Sequence, residues 1–228
     1  MMKKVINEAK DIFRLISKDV LLESRNKYGF NAILLFVLIS VSLVLFSVGD
    51  SRLRNDVVAT LMWNTIFFAA MTALQRGFIS EGERGTSLLL KLSYSTDVIF
   101  GAKFFVNLIF SLFINLLIAL LYSAFLQLQI ENTLIFSVTM FLGAIGTAIV
   151  LTLISAIVSM TNGKSGLFAA LSFVPILPVI ILVVKATEVA TEPDAPFFRA
   201  ENFLKLLTAY DIIMMVLSIF LFEFVWEE

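Results

Sequence analysis

The sequence has no cysteine and no histidine among its 228 residues. Without cysteine there is no disulfide, no thiolate nucleophile and no sulfur-based metal centre. Without histidine, the usual general base and the usual ligand for zinc or heme iron are missing. Charge is scarce too: Asp, Glu, Lys and Arg make up 15% of the chain and the formal net charge is −1. That leaves no basic field to attract nucleic acid. Neither G-x-x-x-x-G-K-[ST] nor G-x-G-x-x-G occurs, so the chain offers no phosphate cradle of its own. These absences remove most hydrolases and most membrane redox enzymes.

What is present is apolar. Hydrophobic residues make up 59% of the chain, and its mean hydropathy is +0.96. A soluble domain is about half apolar and about a quarter charged. The excess lies in six runs of about twenty residues, the length a helix needs to cross a bilayer. They are 30–48, 57–74, 98–121, 133–158, 166–184 and 204–225. In hydrocarbon each must satisfy its own backbone, so each is predicted helical and the fold class is an all-α membrane protein. Pro175 and Pro178 interrupt the fifth run and are expected to bend or break it. A half-apolar segment blurs the start of the sixth. The loop before it, 185–205, holds Pro193 and Pro196 and cannot be one continuous helix.

The distribution of Lys and Arg sets the orientation. One set of segments carries twelve: Lys3, Lys4, Lys10, Arg14, Lys18, Arg25 and Lys27, then Arg76, Arg84, Lys91 and Lys103, then Lys164. The other carries five: Arg52, Arg54, Lys185, Arg199 and Lys205. Twelve against five puts both termini in the cytoplasm, with the segment between spans two and three on the same side.

The first 28 residues are not expected to form a signal peptide, for they lack a continuous apolar centre and a small-residue cleavage site. Val5, Ala9, Ile12, Phe13, Ile16 and Val20 recur at helical spacing instead, with Lys3, Lys10, Asp11 and Lys18 between them. The pattern predicts a helix lying in the cytosolic interface, with Ile12, Phe13 and Ile16 in lipid.

Within the spans, Lys103, Asp211 and Glu223 are expected near the ends, leaving no ionisable group deep in the membrane. A buried acid near the midplane is the usual mark of ion-driven transport, and its expected absence argues against that class. Asn107 and Asn115 fall on one face of the third span. Ala144, Ala148, Thr152, Ser155 and Ser159 form a small-residue stripe on the fourth, better suited to helix packing than to lining a substrate path. Eight Met and four Tyr are available as heme-iron ligands in principle, but none is paired in a recognisable way.

Four stretches, taken in order, resemble one family. They are "SKDVLLESRNK" before the first span, "EGERGTSLLLKLS" followed by the lysine that opens the third, "LSFVPILPVIIL" in the fifth, and the terminal "FEFVWEE". Their order is similar to that of the CcmB family, the heme exporter B permeases of cytochrome c maturation. The resemblance covers nearly the whole chain. It implies a six-span permease domain over 30–228 after the interfacial helix of 1–29, with a coupling loop over 75–97. Implied partners are a separate ATPase (CcmA-like) that holds ATP-Mg, a heme-handling membrane subunit (CcmC-like), a small single-span subunit (CcmD-like) and a second copy of the chain. Heme is implied as the substrate of the complex, with iron ligation falling to a partner rather than to this chain. The chain itself is not expected to be an enzyme.

A permease without its own motor needs a cytosolic surface for one. Glu81 and Glu83 are expected to stay solvated and pair with bases on the motor. Gly85 permits a sharp turn, Thr86 is placed to cap a short helix, and Leu88, Leu89 and Leu92 share a face suited to a groove. Two other readings remain: an exporter permease for lipid, polysaccharide or drug, and a membrane anchor for an ATPase that transports nothing.

Overall fold

The computed structural model describes residues 2–25, 27–48, 53–75, 77–79, 81, 85–161, 164–193 and 195–227. Among these there are helices and no strands. In chain order they are α1 (Met2–Arg25), α2 (Lys27–Val48), α3 (Asn55–Leu74), α4 (Ser87–Ser93), α5 (Thr96–Phe125), α6 (Thr133–Ser159), α7 (Lys164–Ala190) and α8 (Phe197–Glu227). Six are long and apolar enough to cross a membrane: α2, α3, α5, α6, α7 and α8.

The hub is α6, which packs against α5, α7 and α8 and touches α3. Its sequence explains why. It carries no charge, and its glycines let bulky groups come close. A Cβ on Gly143 would stand 2.5 Å from the Trp63 ring, so α3 reaches α6 only because that Cβ is missing. The stripe of Ala144, Ala148, Thr152 and Ser155 is fully buried inside this one chain, with Ser159 half-buried at its end.

Polar side chains zip α5 to α6 at helical spacing. Asn107 donates to Thr152 Oγ1 (2.7 Å), Ser111 bonds Thr147 (2.8 Å), and Asn115 donates to the Met140 carbonyl (3.1 Å). The shared face of Asn107 and Asn115 is thus a helix-pairing face, the use to which such residues are put in membranes.

At the end away from the termini, α3 and α7 are tied. Trp63 Nε1 donates to Thr187 Oγ1 (2.8 Å) and Asn55 Nδ2 to the Thr191 carbonyl (3.1 Å). The Ala190 carbonyl, left free where α7 stops, accepts from Glu131 N and Asn132 N. The Asn132 side chain in turn caps α6 by accepting from Ile135 N (3.1 Å).

Two expectations are refined. Of the bend or break expected at Pro175 and Pro178, the break does not occur: α7 runs on through both. It packs on α6 and α8, and the Tyr210 hydroxyl of α8 donates to the Pro175 carbonyl. The sixth span begins at Phe197, not Leu204, because Glu201 pairs with Lys205 one turn along and the early turn is helical despite its charges. That moves Asp211 from the end of the span to its middle.

Candidate functional site

At the end that bears both termini, α1 lies against the start of α5. Ile12 and Ile16 of its apolar stripe do not face lipid as expected. Leu15 is buried, and Ile12 and Ile16 pack on a cluster of Phe78, Leu90, Phe100, Phe222 and Trp226; only Phe13 of the expected three is exposed. Gly101 lies under Ile12, whose Cδ1 would sit 3.6 Å from an added Cβ. Ile12 and Ile16 pack inward because the aromatic groups of residue 78 and of α8 offer them a partner. Phe222 and Trp226 stack with centroids 5.2 Å apart, and each lies 5.2 Å from Phe78.

Beside this cluster four charges meet. The Lys103 ammonium, on the second turn of α5, lies 2.7 Å from Asp19 Oδ2 and 3.0 Å from Glu81 Oε1, and donates to the Gly77 carbonyl at 3.3 Å. Lys18 lies 3.2 Å from Glu81 and 3.4 Å from Asp19. The Thr86 hydroxyl donates to the other Glu81 oxygen, and Thr86 N donates to the Glu81 carbonyl at 3.0 Å. Two cations thus neutralise two anions, linking α1, Glu81 and α5, and Thr86 ties the start of α4 to Glu81.

Glu81 is therefore not a solvated residue: it is 4% exposed. Burial alone pushes its carboxyl up, but Lys103, the Thr86 hydroxyl and Lys18 together outweigh burial and hold it at about 2. Burial pulls the Lys18 ammonium down, yet Asp19 and Glu81 prevail and raise it. Thr86 does not cap α4 with its side chain, since its hydroxyl is spent on Glu81. Lys103 turns inward rather than toward headgroups, because two acids await it there. Glu83 lies outside the described residues.

Gly85 makes the sharp turn, at φ +66°, in the region that side chains resist. Beyond it α4 is pinned by Leu90, buried in the aromatic cluster, and by Lys91, whose ammonium lies 5.3 Å from the Trp226 ring centroid. Its other face is open: Leu88, Leu89 and Leu92 are 66%, 65% and 79% exposed. A short helix fixed on one side thus presents three leucines on the other.

The family model described as "CcmB protein" matches residues 10–225. The chain belongs to the CcmB family. Membership makes it a permease component of the heme exporter of the cytochrome c maturation system. Among curated proteins no relative matches. Three of the four stretches that carry the family resemblance in sequence meet here: Lys18 and Asp19 come from the first, Glu81 and Thr86 from the second, with Lys103 from the lysine beyond it, and Trp226 from the last.

Sequence reasoning missed Lys18, Asp19 and Leu90 as parts of this site. The signal was present, as Lys18 and Asp19 sit directly before Val20 in the apolar stripe, and Lys103 interrupts an otherwise apolar run.

Proposed function

We propose that the chain is the membrane half of a motor-driven heme-handling complex, and that α4 is the surface on which a separate ATPase subunit pushes. The observation that carries this reading is the exposed ridge of Leu88, Leu89 and Leu92 on a helix anchored by Leu90 and by the ion tetrad. An exposed leucine ridge fits an apolar groove on a partner. The tetrad would pass a displacement of α4 to α1 and α5 without loss in a floppy loop. Glu81 serves inside this linkage and not as a contact for the motor.

The excess of Lys and Arg on the terminal side supports a cytoplasmic placement of both termini, with the chain in the inner membrane. Two copies fit a motor that closes two ATPase subunits around ATP-Mg. With the small-residue stripe of α6 consumed inside one chain, the second copy must meet it through another helix. Heme is the substrate of the assembly. With no histidine or cysteine in this chain, its iron falls to a CcmC-like partner, alongside a CcmD-like single-span subunit.

Leu89→Asp tests the docking. The variant is expected to insert at normal level, because the side chain is exposed, and to lose ATPase co-purification and cytochrome c maturation. Normal ATPase retention together with normal maturation would refute the assignment.

A further inference from the structure

Asp211 stands near the middle of α8, inside the span from Phe197 to Trp226. It is 5% exposed, and among the described residues neither carboxyl oxygen has a hydrogen-bond partner. Its niche is built for it. A Cβ on Gly146 of α6 would stand 2.6 Å from Asp211 Oδ1, and both Val179 methyls of α7 lie 3.1 Å from the same point. The glycine thus leaves room for a carboxyl and supplies nothing to bind it.

Among the described residues no counter-ion faces the niche from the helices packed on it. α6 has no charged residue. Lys164, Lys185 and Glu188 of α7 lie toward its ends, with Lys185 and Glu188 paired to each other. The charges of α5 are Asp97 and Lys103, the latter committed to the tetrad. On α8 itself, Lys205 pairs with Glu201, Arg199 with Glu192, and Glu223 and Glu227 lie toward the other end. The neighbouring Tyr210 hydroxyl is donated to Pro175, and Tyr122 of α5 bonds Thr65 and the Leu61 carbonyl. A metal ion would need several oxygens, and the niche has two. The ligand that a lone carboxyl in such a place can hold is a proton.

Two further polar groups on the same side of α8 are also buried and, among the described residues, unpartnered: Ser218 Oγ and Trp226 Nε1. They follow Asp211 at seven and fifteen residues, so they trace a line from mid-span to the terminal end. Adjacent members lie roughly 10 Å apart along the helix. Orphan polar groups inside proteins are commonly satisfied by water. We infer that Asp211 is an exchangeable proton-binding site within the membrane, reached from the terminal end along the Trp226–Ser218 side of α8. The proton enters from water at that end, and returns to it when the carboxyl ionises. This inference does not depend on where the ATPase docks.

Infrared spectroscopy of the full chain in lipid tests it directly. A carboxylic C=O band is expected at neutral pH, missing in Asp211→Asn, shifted by deuterium oxide and lost reversibly as pH rises. Ser218→Ala is expected to keep the band and slow its deuterium exchange severalfold. A missing band at neutral pH, a band that neither exchanges nor titrates, or unchanged exchange in Ser218→Ala would each overturn the inference. Should Asp211→Asn fail to fold, dicyclohexylcarbodiimide, which adds to protonated carboxyls in apolar surroundings, replaces it. An adduct on the Asp211 peptide of the unaltered chain is then expected, and its absence counts against the site.

Discussion

Glu81 and Asp211 are both buried acids, and their surroundings are opposite. Glu81, beside the membrane boundary, is held by Lys103, Lys18 and Thr86. Asp211, in mid-span, has a glycine and two valine methyls. The first fixes four segments to one another, and its charge is part of the architecture. The second fixes nothing, and room has been left around it. Burial alone therefore does not assign a role to an acid in this fold; its partners do.

The sharpest way to break that contrast is to remove the cation of the tetrad. Lys103→Met strands Asp19 and Glu81 in a buried setting, and a loss of about 3–5 kcal/mol is expected. Denaturation in detergent micelles would measure it. Adding Asp19→Asn and Glu81→Gln to Lys103→Met should recover much of the loss, because no unpaired anion then remains. A triple variant as unstable as the single one would show that packing, not charge, holds the cluster.

Acid titration sharpens the same point. The Glu81 carboxyl is held at about 2 in the folded chain, below its ordinary 4.5. A depressed value means the unfolded state binds the proton more readily. Its stabilising contribution is thus complete above pH 4.5 and is lost as pH falls from there through 2. Thermal unfolding followed across that window should show the decline, and Glu81→Gln should flatten it.

Gly85→Ala is expected to cost about 1 kcal/mol, from the positive φ of the turn that leads into α4. Among the described residues nothing lies within 4 Å of an added Cβ there, so the loss would report backbone strain. Smallest of all should be Asp211→Asn, within about 1 kcal/mol of the parent, since no ion pair is lost. A loss there as large as that of Lys103→Met would erase the distinction between the two acids.

Six spans could be read from the chain because hydrocarbon imposes one length and one solution on the backbone. The observed helices start within a few residues of the expected runs except at α8. There Glu201 and Lys205 lowered the apolar signal although they pair on the helix surface. The same late start left Asp211 near the end of the expected run, when the helix in fact carries it at its middle. The leucine ridge and the Gly85 turn were legible because both are local, set by spacing and by a single φ. The tetrad was not, because Asp19 and Lys103 are joined only by tertiary packing, and a charge read singly looks solvated.

The Gly146 niche also bears on biogenesis. α6 is uncharged throughout and can partition into the bilayer unaided as it leaves the ribosome. α8 follows it in the chain and arrives with Asp211 at its centre, so its entry is more expensive. The surface that shelters that acid, Gly146 beside Val179, exists only once α6 and α7 are in place. The order of the helices along the chain is then also an order of insertion, with the receiving site made before the helix that needs it.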